Sequence, residues 1–217
     1  MNQEADNTRA YLDLLDYRRR VAAIYACVRN GESDMAERHR RFREQRDELF
    51  RTHPQSALAP EQRARFTGLR YWQYNPSYRF VVPVEPVKRE HVYELDLGDD
   101  GIVRMKPFGT LGFTLAGQAC TLTLFWLMGY SGGLFLPFRD LTAGAETYGG
   151  GRYLLDTAKH ADLGQVGDSL VIDFNFAYNP SCAYDSRWVC PLAPEENRLA
   201  VRIEAGELDF GDTHELL

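Results

Sequence analysis

The chain has 217 residues, of which 44% are hydrophobic and 26% are charged, and its formal net charge is -6 at pH 7. This composition is typical of one globular domain, or of one domain that carries a smaller helical segment, and it excludes a disordered or collagen-like chain. The acidic balance argues against a dedicated nucleic-acid-binding protein, which normally has a basic surface.

The N-terminal residues predict no export, because they contain acids where a signal peptide carries its basic end and no long apolar run follows. The most apolar stretch, residues 119–138, is interrupted by Gly129, Gly132 and Gly133. It therefore falls short of the continuous apolar run that a membrane-spanning helix needs. We predict a soluble, cytoplasmic protein with no membrane partner, and we interpret the stretch as a hairpin of the core.

Two helices are predicted to open the chain. In the first, apolar residues recur at spacings of four and three, which places them on one helical face: Ala10, Leu14, Tyr17, Val21, Ile24 and Val28. Asn30 and Gly31 are predicted to end this helix. The second helix is predicted to be capped by Ser33, to end at Pro54 and to be mostly solvated. Its apolar stripe is thin: Met35, Phe42 and Leu49.

The second helix is rich in arginine, but acidic residues are interleaved at spacings that allow salt bridges along the helix. We therefore expect no nucleic-acid-binding face. The first helix is predicted to pack on its own chain, and the alternative is that it pairs with a second copy as a homodimer. Residues 1–70 are thus predicted to be an N-terminal helical segment, and residues 71–217 an antiparallel β domain.

From about residue 78 the apolar pattern has a period of two, as in strands. Residues 91–107 are predicted to form a hairpin that turns at Asp100 and Gly101. Further breaks are predicted at residues 116–118 and 130–133, and later strands at 152–156, 169–176 and 199–204. Short strands with tight connections indicate an antiparallel β-barrel or sandwich. The predicted fold is mainly β, and α+β overall.

The predicted strand 169–176 would place Asp173 and Asn175 on one face, opposite Ile172, Phe174 and Phe176. If that face lines a barrel mouth, the two polar side chains form a polar floor. If it lies outside, they are ordinary solvated residues.

A glycine-rich segment, residues 140–156, precedes this strand. Thr147, Tyr148 and Arg152 offer hydrogen-bond donors beside Asp140 and Glu146, a set that suits an anion with Arg152 as a bidentate clamp. The alternative is a bulged turn with an ion pair from Arg152 to Asp173 or Asp156. Neither the P-loop nor the Rossmann pattern applies.

The four cysteines are predicted to be reduced. Cys27 and Cys120 lie in apolar runs and are predicted to be small core residues. Cys182 and Cys190 allow a disulfide, half of a metal site, a redox pair or two unreactive thiols, and the last interpretation is favoured. No metal site is predicted, because the histidines are isolated in the sequence. A Cys182 nucleophile would need a histidine base, either His91 or His160.

Other polar groups lie in the same segment. Asn179 begins a turn with Pro180. Tyr178 and Tyr184 can place hydroxyls beside the polar face, and Asn197 can satisfy loop carbonyls with its amide. The prolines and asparagines are predicted to build a rigid loop, and rigid loops commonly carry binding groups.

Three segments stand out as motifs: TYGGGRYL (147–154), DFNFAYNPSCAYDSRWVCPLAPEENRL (173–199) and IEAGE (203–207). Together, and more loosely with FLPFRDLTAG (135–144), they resemble the bacterial and archaeal family known as domain of unknown function 1684. The resemblance covers the last third of the chain and extends toward the second helix, but the first helix does not match. It implies no activity, cofactor or catalytic residue. The matching positions are Asp140, Thr147, Tyr148, Arg152, Asp173, Asn175, Tyr178, Asn179, Cys182, Cys190 and Asn197.

The leading hypothesis is a domain that binds a small polar or anionic ligand near the glycine-rich segment and the segment from Asp173 onward. The predicted ligand-binding residues are those eleven positions together with Glu146. One alternative is an enzyme at the same place, with Asp140, Glu146 or Asp173 as acid or base, or with Cys182 as nucleophile. The other is a structural or protein-interaction module.

Overall fold

Three α-helices precede nine β-strands in a computed structural model that describes residues 3–87, 91–98, 101–130 and 132–211. The helices are α1 (Gln3–Asn30), α2 (Met35–Thr52) and α3 (Pro60–Arg65). The strands are β1 (Arg79–Pro83), β2 (Glu85–Pro86), β3 (Tyr93–Asp96), β4 (Ile102–Leu115), β5 (Gln118–Leu127), β6 (Gly133–Phe138), β7 (Arg152–Asp156), β8 (Gln165–Val166) and β9 (Ser169–Asp173).

Helix α1 packs on its own chain through the C-terminal half of its apolar stripe. Ile24 and Val28 are buried, whereas Ala10 is exposed. Arg29 strengthens this contact, since its guanidinium donates a 2.6 Å hydrogen bond to the carbonyl of Asp162. Three apolar side chains near the start of α1 stay exposed: Tyr11, Leu12 and Leu15. The homodimer through this helix stays a prediction.

Helix α2 differs from its prediction at its start and on one face. Its N-cap is Asp34 and not Ser33, because the Asp34 carboxylate accepts a 2.8 Å hydrogen bond from the backbone of Glu37. The expectation of a mostly solvated helix is wrong for one face, where His39 and Arg46 are buried with Phe42 and Leu49. On the other face Arg40 pairs with Glu37 and Glu44, which confirms the predicted neutralisation by interleaved charges.

The strands form two antiparallel sheets. One has the order β1-β9-β8, and the larger has the order β2-β4-β5-β6-β7, with β3 also paired to β4. The antiparallel α+β architecture is thereby confirmed. In the described part of the chain neither sheet closes on itself, so the predicted barrel is not confirmed.

Several strand predictions are confirmed. Strands β3 and β4 form the hairpin predicted for residues 91–107, although its Asp100 lies outside the described residues. The turn at residues 116–118 separates β4 from β5, and β7 has the predicted bounds. Two predictions are wrong. The strand 169–176 ends at Asp173, and residues 199–204 form no strand but follow residues 139–141 through hydrogen bonds such as Leu199 N–H to Arg139 O, 2.7 Å.

The core lies between the helices and the two sheets. Leu111, Leu122 and Phe174 are among its fully buried side chains. Cys120 is buried as predicted, but Cys27 lies on the exposed side of α1, so its assignment to the core is wrong. In the described part of the chain, no helix combines the length and the apolar character needed to cross a bilayer.

Candidate functional site

The segment that follows β9 builds one wall of a cavity. The Asp173 carboxylate accepts a 3.0 Å hydrogen bond from the backbone of Asn175, which ends the strand and starts a 3-10 turn over Phe174–Phe176. The chain then pairs Tyr178 with Tyr153 of β7, with N–H to O distances of 2.8 and 3.0 Å. Tyr178 and the residues after it therefore lie beside β7.

A cavity of about 300 Å³ lies between this segment, helices α1 and α2, and β7. Its size is at the lower end of the range of small-molecule sites. Aromatic side chains from all four elements line it: Tyr17, Tyr25, Phe50, Tyr153, Tyr178, Tyr184 and Trp188. Such walls accept a flat or apolar molecule, because aromatic faces and edges contact it over a large area.

Charged groups lie among these aromatic side chains. Arg18 and Lys159 contribute two cations with exposed side chains, and Asp156 contributes one buried carboxyl. Burial raises the pKa of Asp156 above its ordinary value. Lys159 lies 4.0 Å from the Asp156 carboxylate, and Arg46 also lines the cavity. The lining therefore has more cations than carboxyls, a balance that favours an anion.

A buried polar network supports the cavity floor. Arg46 of α2 donates to Glu207 at 2.9 Å and to the Tyr71 hydroxyl at 2.8 Å. Glu207 also accepts hydrogen bonds from Tyr184 and from the backbone and side-chain amides of Asn179, the latter two at 3.2 Å. The network therefore joins α2, the cavity wall and the C-terminal segment.

Arg46 and Glu207 were not among the predicted site residues. Arg46 follows Phe42 by four residues and precedes Leu49 by three, so its position on the apolar face of α2 was visible in the sequence. Glu207 ends the IEAGE motif. Nothing in the sequence pairs the two residues, since they lie 161 positions apart.

Arg152 is fully buried, and its hydrogen bonds go to the protein. It donates to the carbonyls of Ile203, Ala205 and Glu207, and it forms an ion pair with Asp140 at 3.3 Å. Its guanidinium also lies over the rings of two aromatic residues, Trp72 and Phe138. The predicted ion pair with Asp173 or Asp156 is wrong, because the turn before β7 brings Asp140 to the guanidinium instead.

The glycine-rich segment holds its polar groups in contact with one another. The Thr142 hydroxyl lies 3.0 Å from the Asp140 carboxylate and 2.9 Å from the Thr147 hydroxyl. Glu146 pairs with Arg202 at 2.6 Å on the surface. Gly151 is required here, because it has a φ of +89° and a Cβ at this position would lie 2.5 Å from the carbonyl oxygen of Phe138.

Asp173 and Asn175 form a separate buried pair. The Asn175 amide exchanges two 2.8 Å hydrogen bonds with the backbone of Asn75 and donates a third to Asp173 at 2.7 Å. The second carboxyl oxygen of Asp173 is buried and has no hydrogen-bond partner among the described residues. Burial raises the pKa of Asp173 to about 6. The predicted alternation of faces beyond Asp173 is wrong, because the chain turns there, yet the two side chains are adjacent.

Asn197 lies between β5 and β6. Its amide accepts from Thr123 N–H at 2.7 Å and donates to the carbonyls of Thr123 and Pro137 at 2.9 and 2.7 Å. It satisfies carbonyl groups, the use predicted for its amide.

Cys182 and Cys190 lie together next to Tyr148. The Tyr148 hydroxyl donates to the Cys182 sulfur at 3.5 Å, and the backbone N–H of Cys182 donates to the Cys190 sulfur at 3.3 Å. The hydrogen bond from Cys190 lowers the pKa of Cys182 to about 6, and Tyr148 and Lys159 act in the same direction. The pKa of Cys190 is raised, first by its hydrogen bond with Cys182 and then by burial.

The model of a protein family described as "Protein of unknown function (DUF1684)" matches residues 64–208. The chain belongs to this family. It is also similar to the solution NMR structure of an uncharacterized protein from gene locus rrnAC0354 of Haloarcula marismortui. The two share 38% sequence identity with a TM-score of 0.58, over 78% of this chain and 91% of that one. No curated protein matches the chain.

Only part of the cavity wall lies within the residues that match the DUF1684 family model. Tyr153, Tyr178 and Tyr184 lie inside the matched residues, as does Glu207 below them. Tyr17, Arg18 and Arg46 lie on α1 and α2, before the match begins. The DUF1684 motifs therefore supply one side of the cavity, and the two helices supply the other.

The predicted site residues fall into five places. Tyr178 and Asn179 line the cavity, and Tyr148, Cys182 and Cys190 form the thiol cluster. A third group belongs to the glycine-rich segment, where Asp140, Thr147 and Arg152 are buried and Glu146 pairs with Arg202 at the surface. Asp173 pairs with Asn175, and Asn197 lies apart from all of them. Across residues 3–87, 91–98, 101–130 and 132–211, no three His, Cys, Asp or Glu side chains are grouped so that they could hold a metal ion.

Proposed function

We propose that the protein binds a small anionic molecule with an apolar, preferably flat, body in the cavity between α1 and the segment that follows β9. The observation that carries this proposal is the cavity itself, about 300 Å³ in volume and walled by seven aromatic side chains. Binding sites of this kind combine mostly apolar walls with a few oriented polar groups.

The anionic preference is supported by the charges at the cavity. The lining contains three cations, Arg18, Arg46 and Lys159, against the single carboxyl of Asp156, and Arg46 is paired with Glu207. Tyr178 and Asn179, from the predicted set of ligand-binding residues, line the cavity directly. Arg152 contributes indirectly. It donates hydrogen bonds to backbone carbonyls of residues 203–207, and the Glu207 carboxylate accepts hydrogen bonds from Asn179 and Arg46.

Titration with 8-anilinonaphthalene-1-sulfonate tests this proposal, because this probe is a flat aromatic anion that fluoresces when it leaves water. We expect saturable binding of one probe per chain. Leu14→Trp, which fills the cavity from α1, is expected to weaken binding at least tenfold. Leu15→Trp is the matched control, since this neighbouring side chain is 43% exposed and does not line the cavity. Equal binding by the two variants would contradict the proposal.

The charge preference is tested on the same helix. Arg18 lines the cavity and Arg19 does not, and both are exposed. We expect Arg18→Gln to weaken probe binding roughly two- to fivefold, the size of an exposed ion pair of up to about 1 kcal/mol, and Arg19→Gln to leave it unchanged. Binding should also weaken as salt is added. If both variants bind as the wild type does, the cavity has no preference for anions.

A further inference from the structure

The two cysteines of the segment after β9 lie at the edge of the cavity, outside its lining. Each is partly buried, and the Cys182 backbone N–H reaches the Cys190 sulfur at 3.3 Å. Each thiol also shifts the pKa of the other. The two sulfurs therefore approach closely, although the structure contains them as free thiols.

The two sulfurs of the pair have different environments. Cys182 accepts a hydrogen bond from the Tyr148 hydroxyl, and the Lys159 ammonium lowers the pKa of both thiols. Hydrogen-bond donors and a cation stabilise a thiolate. Cys182 is thus the sulfur that is prepared to attack, and Cys190 is the thiol held beside it.

We propose that Cys182 and Cys190 are a redox-active dithiol pair that undergoes thiol–disulfide exchange with small-molecule disulfides, Cys182 attacking and Cys190 resolving. This activity is independent of ligand binding in the cavity. It uses two residues that do not line the cavity and a co-reactant of a different chemical class.

The exchange proceeds in two displacements. The Cys182 thiolate attacks a disulfide R–S–S–R, so that a bond from the Cys182 sulfur to one R–S group forms, the S–S bond of the reagent breaks and one R–S⁻ leaves. Cys190 then gives its proton to solvent and attacks the Cys182 sulfur, which releases the second R–S⁻. The two protein thiols are oxidised to one disulfide, and the small disulfide is reduced to two thiols.

The backbone N–H of Cys182 also assists the second displacement. Because it donates to the Cys190 sulfur, it stabilises the negative charge that develops there when Cys190 loses its proton. This hydrogen bond therefore favours the Cys190 thiolate, the form that attacks the mixed disulfide.

Glutathione is the probe for the experiment. We expect the wild-type chain, incubated with glutathione disulfide and quenched in acid, to lose two hydrogen atoms in mass, with the Cys182–Cys190 bond identified by peptide mapping. Cys190→Ser should stop at the first displacement and accumulate one glutathione on Cys182. Cys182→Ser should form neither product.

Cys27 is an internal control in every sample, since it is exposed on α1 and far from the pair in sequence. At pH 6, where an ordinary thiol is almost fully protonated, we expect iodoacetamide to label Cys182 about tenfold faster than Cys27. If a serine variant fails to fold, peptide mapping of the wild-type chain still tests whether the Cys182–Cys190 disulfide forms. Glutathione found on Cys27 alone, or a stable adduct on Cys182 of the wild type without the internal disulfide, would overturn the proposal.

Discussion

At the scale of single residues, Asp173 shows how burial and pairing act in opposite directions on one carboxyl. One of its oxygens accepts hydrogen bonds from the backbone and side chain of Asn175, and the other is buried without a partner among the described residues. Burial dominates and raises its pKa to about 6. The folded chain therefore holds a proton on Asp173 at pH values where the unfolded chain has already released it.

This difference makes the stability depend on pH in a defined window. Between about pH 4 and pH 6 the folded state binds more protons than the unfolded state, so the contribution of Asp173 to the unfolding free energy falls as the pH rises. Each pKa unit corresponds to about 1.4 kcal/mol, so the contribution of Asp173 to the unfolding free energy falls by on the order of 3 kcal/mol across this window. We expect Asp173→Asn to gain stability relative to the wild type across this window, and to keep a constant difference above it.

Urea unfolding at a series of pH values from 4 to 8 measures this effect. Asp168→Asn is the control for removal of a carboxylate, because Asp168 is an exposed aspartate in the turn that precedes β9. Parallel curves for the wild type and Asp173→Asn would show that the buried carboxyl keeps its ordinary pKa.

At the scale of elements, the side-chain amide of Asn197 supplies hydrogen bonds that strand pairing does not provide. Asn197 exchanges hydrogen bonds with the N–H and carbonyl of Thr123 in β5, as a neighbouring strand would, and it also bonds the carbonyl of Pro137 in β6. It can do so where β5 and β6 diverge, since their pairing covers only residues 125–127 of β5. Asn197 thus makes the hydrogen bonds that a neighbouring strand would make beside Thr123.

We expect Asn197→Ala to lower the unfolding free energy by about 3 kcal/mol, because three backbone groups of two strands lose a buried partner. Asn197→Asp keeps the acceptor for Thr123 N–H but loses both donors, so it should also be strongly destabilised. Arg198→Ala, at an exposed ion pair with Glu195, should change stability by less than about 1 kcal/mol. Thermal denaturation of the three variants provides the comparison, and an Asn197→Ala protein as stable as Arg198→Ala would refute the role.

At the scale of the whole molecule, the ion pair of Arg46 with Glu207 holds the helices against the rest of the chain. Glu207 is 1% exposed, and it contacts Arg46 of α2, Tyr184 and Asn179. The guanidinium of Arg46 also lies 5.2 Å from the centre of the Tyr178 ring in the cavity wall. The geometry of the cavity therefore depends on a contact between two distant parts of the chain.

Removal of the Glu207 charge should be costly, since it leaves the Arg46 charge buried without its counter-ion. We expect Glu207→Gln to lower the unfolding free energy by about 3–5 kcal/mol. Glu204→Gln is the matched control on the same segment, because Glu204 pairs with Arg202 at the surface, where such a pair contributes up to about 1 kcal/mol. Equal losses in the two variants, measured by urea unfolding, would mean that the buried pair does not hold the parts together.

The sequence by itself determined the features that depend on local periodicity. The apolar stripes of α1 and α2, the hairpin of β3 and β4, and the bounds of β7 follow from the spacing of side chains along one element. The motifs from residue 147 to residue 207 also determined the family. These predictions hold because neighbouring residues decide which face of an element is apolar.

Only the tertiary structure decided which polar groups meet. Arg152 was predicted to hold an anion, but folding places four protein oxygens of Asp140 and residues 203–207 around it. The sequence pattern places Arg46 on the apolar face of α2, but only folding brings it to a carboxylate from the other end of the chain. The cavity exists only where α1, α2 and the segment after β9 come together. A buried charge needs a partner wherever one lies in space, and distance along the chain does not indicate it.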